Sequence, residues 1–98
     1  MKTIEELNLA LYSASKNNNL EMVIYLVKKG AITLNQALVN ASYSNNLEIV
    51  KYLVKKGAKD LNVSLSYASK KNNLEIANFL KFVIDISKNN KQNTLLIF

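Results

Sequence analysis

The chain has no Cys, His, Arg, Pro or Trp, and only two Gly among its 98 residues. Without Cys it can form neither a disulfide framework nor a thiolate metal site, and an intracellular, cytoplasmic setting is the simpler expectation. Without His it lacks the commonest acid/base group and metal ligand at neutral pH. Without Arg it has no planar fork to read guanine edges in a nucleic-acid groove. Long apolar runs are missing too. The longest, Met22 to Val27, falls far short of the ~20 residues that span a bilayer, and Met1-Lys2-Thr3-Ile4-Glu5-Glu6 has no signal-peptide core. No membrane association and no standard export are expected. At this length there is room for one domain, not for a catalytic domain plus a recognition domain.

Charge of one sign is also scarce. Thirteen Lys face five Glu and two Asp, for a net charge of +6. A basic balance suits an anionic partner. However, a chain rich in Lys, Asn and Ile and free of Arg is also what AT-rich coding produces, and that source takes the larger share of the excess.

What is present is repetition. "NNNLEMVIYLVKKGA" (Asn17 to Ala31) returns as "SNNLEIVKYLVKKGA" (Ser44 to Ala58) and, after another 27 residues, as "KNNLEIANFLKFVID" from Lys71. The repeats are residues 7–33, 34–60 and 61–87. The first two agree at 18 of 27 positions and the second and third at 11. A period of this size implies stacked units.

Each unit reads as two helices. Leu7, Leu11 and Ala14, then Leu34, Leu38 and Ala41, then Leu61, Leu65 and Ala68 form a helical stripe in the first half. Small Ala10, Ala37 and Ser64 leave room for a neighbouring helix. The second half is more apolar. Leu20, Val23, Leu26 and Val27, matched by Leu47, Val50, Leu53 and Val54, are widened by Met22, Ile49 and Ile76 and by Tyr25, Tyr52 and Phe79. A helix apolar on most sides needs cover on both flanks, which stacked copies supply.

The punctuation agrees. Asn18-Asn19-Leu20-Glu21, Asn45 to Glu48 and Asn72 to Glu75 have capping-box spacing. One Asn of each pair can close the preceding helix in the left-handed conformation while the other opens the next, and the sequence does not say which does which. Lys28-Lys29-Gly30 and Lys55-Lys56-Gly57 suit helix C-termini. Thr3 with Glu6, Thr33 with Gln36, and Asp60 are the expected caps of the first helices. Residues 1–6 start the first helix, strand signals are weak, and the fold class is all-α.

Helix, turn, helix, Gly-Ala, repeated, resembles the ankyrin repeat. In "ASYSNNLEIVKYLVKKGA", Ala41-Ser42 stands for the family's Ala-Ala, Asn45-Asn46 for Gly-His, Ile49-Val50 for Val-Val, Leu53-Val54 for Leu-Leu, and Gly57-Ala58 for Gly-Ala. The resemblance covers Leu7 to about Leu80. It implies a solenoid of three stacked helix-turn-helix repeats that binds a protein through its first helices, which line the concave face in that family. Six residues of the family's usual repeat are missing where the β-hairpin finger would stand, so reduced or absent fingers are expected. Short, Asn- and Lys-rich repeats of this kind are similar to those of large DNA viruses of amoebae.

The third unit departs from the rule. Phe82-Val83-Ile84-Asp85 replaces Lys-Lys-Gly-Ala, so its second helix is expected to run on to Ser87 or to the Asn89-Asn90 pair. Lys81 takes the place of Val27 and Val54, as a terminal cap would require. The tail 88–98 ends in Thr94-Leu95-Leu96-Ile97-Phe98. Three readings fit it: a cover for the last helix, a contact for weak self-association of an otherwise monomeric chain, or the start of a lost repeat. Apolar Ile4 and Leu9 near the other end suit the second.

Catalysis, cofactors and metals are not expected. Glu21, Glu48 and Glu75 form a ladder once per repeat, but capping accounts for them. Positions that vary between repeats are those the stack does not need. They are Leu9, Gln36 and Val63; Tyr12, Val39 and Ser66; Ser13, Asn40 and Tyr67; and Lys16, Tyr43 and Lys70. Of these, Leu9, Tyr12, Lys16, Gln36, Val39, Tyr43, Val63, Ser66, Tyr67 and Lys70 are the candidate protein contacts, with the three Tyr foremost. The alternative is weak, sequence-independent capture of nucleic acid or another polyanion by Lys28, Lys29, Lys55 and Lys56.

Overall fold

A computed structural model describes the backbone of residues 2–97 and the side chains of residues 2–89. Among the described residues there are six helices and no strand. The helices are α1 (Ile4–Lys16), α2 (Leu20–Lys29), α3 (Leu34–Tyr43), α4 (Leu47–Lys55), α5 (Leu61–Lys70) and α6 (Leu74–Ile97). The odd-numbered helices form one row and the even-numbered ones a second. Each odd helix packs on the even helix that follows it and on its neighbours in its own row. Contact is closer within the first row than within the second. Its facing positions are small, with Ala37, Ser42 and Ser64 fully buried, and small side chains let helix axes approach.

Equivalent residues show the direction of stacking. Met22 is 42% exposed, whereas Ile49 and Ile76, its counterparts, are 0% exposed because an earlier repeat covers them. Leu74 is 60% exposed, whereas Leu20 and Leu47 are half-buried against a later repeat. One continuous core runs through the stack and includes Leu11, Leu38, Val23, Val50, Leu53, Ile76 and Leu80. Burying each such side chain contributes roughly 1.5–3 kcal/mol.

Every turn within a repeat is closed by an Asn. Asn18, Asn45 and Asn72 have φ of 59°, 62° and 60°. The next amide donates five residues back, Asn19 to the Ala14 carbonyl, Asn46 to Ala41 and Asn73 to Ala68. This is the Schellman closure, and Asn tolerates its left-handed position better than other side chains. The first Asn of each pair therefore ends a helix, and Asn19 and Asn46 occupy the N-cap position of the next. Gly30 and Gly57, at φ 117° and 105°, close α2 and α4 in the same way.

Two expectations about caps are corrected. Among the described caps, only Thr3 and Glu6 form a complete capping box. Asn19 accepts from the Met22 amide through Oδ1, but Asn46 makes no side-chain cap bond and its Nδ2 donates to the preceding repeat instead. None of the described hydrogen bonds carries Glu21, Glu48 or Glu75 back to a cap, and Glu48 instead pairs loosely with Lys51 at 3.6 Å. Thr33 and Asp60 make no side-chain cap bond either. They sit at φ −84°, ψ 56° and φ −79°, ψ 57°, and the Leu34 and Leu61 amides donate to the Ile32 and Lys59 carbonyls. That is an inverse γ-turn, which aims the central side chain away from the helix amides.

The amides of these loops, not those of the helices, have side-chain partners. Asn8 Oδ1 accepts from the Ile32 amide at 2.9 Å, and Asn35 Oδ1 from Lys59 and Asp60 at 2.6 and 3.2 Å. The loops that replace the fingers are thus only three residues, 31–33 and 58–60, each tied to the first helix of its own repeat.

The last helix runs further than its sequence suggests. α6 passes Ser87 and the Asn89-Asn90 pair and ends at Ile97. It lacks the Gly that stops α2 and α4, and the Asn89-Asn90 pair stays helical. The reading of the tail as a cover depends on side chains from Asn90 onward, which lie outside the described residues.

Candidate protein-binding face

The row formed by α1, α3 and α5 has one side on the core and one side free. Periodicity places every fourth or third residue on each, so Leu9, Tyr12 and Lys16 of α1 stand beside Gln36, Val39 and Tyr43 of α3 and Val63 and Tyr67 of α5. Leu9, Tyr12, Tyr43, Val63 and Tyr67 are between 40% and 72% exposed. These are large apolar side chains that the stack itself does not bury.

They enclose a groove in three connected parts. One hollow of about 290 Å³ is lined by Tyr12, Lys16, Val39, Asn40, Tyr43, Ser44 and Tyr67. A second, of about 440 Å³, shares Tyr12, Val39, Asn40 and Tyr67 and adds Gln36, Asp60 and Val63. A third, of about 380 Å³, continues from Tyr12 and Gln36 to Leu9, Asn8, Thr33 and Glu5. Eight of the ten contacts proposed from sequence line these hollows; Ser66 and Lys70 are exposed on α5 but line none of them.

The aromatic end of the groove is held in place. Tyr43 and Tyr67 meet edge to face, with centroids 6.0 Å apart and planes at 73°. Lys71 places its ammonium 4.7 Å from the Tyr43 ring centroid. Such contacts fix ring orientation and lower the entropy lost when a ligand lands on the rings. Asn40 lines the same hollow, and its buried Nδ2 has no hydrogen-bond partner.

The turns beside this end are braced from the next repeat. Asn46 Nδ2 donates to the Ser15 and Lys16 carbonyls at 2.6 and 3.3 Å, and Asn73 Nδ2 to the Ser42 and Tyr43 carbonyls at 2.8 and 3.2 Å. Each fork satisfies helix-end carbonyls that otherwise have no partner and fixes one repeat on the other next to Lys16 and Tyr43. Sequence reasoning missed this role and assigned both Asn to local caps. It also passed over Lys71, whose counterparts Asn17 and Ser44 vary like those of the selected positions.

The lysine edge lies elsewhere. Lys28, Lys29, Lys55 and Lys56 end α2 and α4, in the second row, and all are exposed. Lys29 and Lys56 lie over the Tyr25 and Tyr52 rings at 5.5 and 5.6 Å. Half of that edge is therefore folded onto its own helices.

The acidic groups do not converge. Among the described residues no group of three or more carboxylates could hold a metal ion. The Glu6 carboxyl has a lowered pKa. Hydrogen bonds from the Thr3 backbone and hydroxyl hold it below the ordinary carboxylate value, helped by the charge of Lys2. That carboxylate serves the cap of α1. No helix among the described residues is long and apolar enough to cross a membrane.

Comparison with known proteins agrees with the geometry. No individual curated protein matches the chain. Residues 3–65 match the family model of ankyrin repeats in three copies. With that match over most of its length, and with paired helices stacked in two rows, the chain belongs to the ankyrin-repeat family.

Proposed function

We propose that this chain is a non-catalytic scaffold that binds a protein partner through the exposed side of α1, α3 and α5. Ankyrin repeats are in general protein–protein interaction modules. The observation that carries the reading here is the groove, where Leu9, Tyr12, Tyr43, Val63 and Tyr67 share one exposed surface. A contiguous exposed apolar patch that the fold does not use marks an interaction site. Tyr buries a large area at small entropic cost and dominates many interfaces. The partner meets it in the intracellular setting expected from the sequence.

The test is selection of random displayed peptides on the folded chain, followed by binding to variants. Tyr12→Ala with Tyr67→Ala should weaken selected peptides at least about tenfold, the loss expected of two anchors. Lys28→Gln with Lys55→Gln should leave them nearly unchanged. The reverse pattern would move the site to the lysine edge and make polyanion capture the better reading.

A further inference from the structure

The groove differs in charge from one end to the other. At the end where α1, α3 and α5 finish stand Lys16, Lys70 and Lys71, all exposed, and the pocket they flank has no carboxylate in its lining. At the other end the lining contains Glu5 and Asp60. Between them the floor is apolar or neutral, with Leu9, Gln36, Val39 and Val63.

Resting on the proposed function, we infer that the partner segment is an acidic peptide carrying an aromatic or branched aliphatic anchor. The anchor packs among Tyr12, Tyr43 and Tyr67, and one or two carboxylates beside it face Lys16, Lys70 and Lys71. Lys71 is already stationed over Tyr43, so a carboxylate arriving there meets an ammonium held at the edge of the anchor site. Charge complementarity then sets the direction in which the segment lies, because the opposite orientation places its carboxylates against Glu5 and Asp60. A nucleic acid fits the groove less well. Its phosphates recur at every nucleotide, whereas the lining of the groove holds Lys16 at one end and Glu5 and Asp60 at the other.

The peptide selection described above reads this directly when the composition of the selected sequences is scored. The expected result is an excess of Asp and Glu next to an aromatic or aliphatic residue. Replacing those acids by Gln or Asn should weaken binding by roughly three- to tenfold, the range for a few solvent-facing charge pairs, with a loss of similar size in moderate salt. Lys16→Gln, Lys70→Gln and Lys71→Gln together should reproduce that loss while the helical circular dichroism spectrum stays unchanged. Peptides that need Tyr12 and Tyr67 but are neutral or basic, or that ignore the three Lys substitutions, would overturn the acidic partner and leave the binding face standing. Displacement of bound peptide by a single-stranded oligonucleotide at moderate salt would reassign the cationic end to phosphate. Selection of peptides indifferent to the Tyr substitutions, or of none at all, would overturn both readings.

Discussion

The middle repeat and the two that flank it are built from nearly the same sentence, yet only the middle one is regular. Its second helix, α4, spans nine residues, while α6 spans 24. Both open on Leu-Glu-Ile. They part after Leu53 and Leu80, where one continues to Gly57 and Ala58 and the other to Phe82 through Asp85. At the other flank α1 starts three residues ahead of the register set by α3, with a capping box that α3 and α5 do not form. A stacked interior thus depends on loops pinned by side chains from the same repeat and on Asn forks from the next. The first repeat has both, and the third, whose second helix runs on, has neither among the described residues.

The largest expected difference lies in the core. Leu53 and Leu80 are both fully buried, but Leu53 has a repeat on either side. Leu→Ala at such sites costs about 2–5 kcal/mol, less where the surroundings can collapse. Urea melts should place Leu53→Ala near the upper end and Leu80→Ala near the lower; equal losses would mean that the last repeat is as tightly held as the middle one.

The Asn forks come next. Asn46→Ala removes two bonds to helix-end carbonyls at a buried site and should cost about 1–3 kcal/mol. Asn19→Ala removes one exposed cap bond and should cost about 1 kcal/mol at most. Finding the two equal would show that the fork across the junction adds nothing to a cap.

Helix length gives a direct reading of the stop signal. Ile84→Gly with Asp85→Ala gives α6 the Gly-Ala of the other repeats. Helical ellipticity should fall by about the share of α6 beyond that point, with little change in melting temperature, since a Gly inside a helix costs only ~1 kcal/mol. An unchanged spectrum would mean that Gly57 alone does not explain the end of α4.

A smaller effect, of opposite sign, is expected at Ser64. Its hydroxyl is buried without a partner, in the place that Ala37 fills in the middle repeat. Ser64→Ala should therefore stabilise the chain, by up to about 1 kcal/mol. The smallest effect belongs to Glu6. Its carboxyl is held below the ordinary value when folded, so its contribution is present above the unfolded pKa and is lost as pH falls through the lower folded one. Thr3→Ala removes the hydroxyl part of that interaction and should flatten the acid side of the stability profile slightly. Stability curves of the two proteins that stay parallel through the carboxylate range would rule it out.

The sequence alone was enough to determine the helix pairs, their period, the absence of fingers and the family. Apolar spacing, Gly-Ala ends and Asn pairs are local signals, and three copies let each be checked against the others. The same comparison found most of the groove, because positions free to vary are those the stack does not bury. Tertiary structure decided the rest. Whether an Asn caps its own helix or reaches back to another repeat depends on what lies across the junction, and Asn19 and Asn46 share the same local motif. Thr33 and Asp60 have capping chemistry, yet a γ-turn directs them elsewhere. That Lys71 sits over Tyr43 while Glu5 and Asp60 gather at the far end of one groove follows from stacking register. Only the packing of distant segments, by burial and by shared hydrogen bonds, brings those charges to one surface.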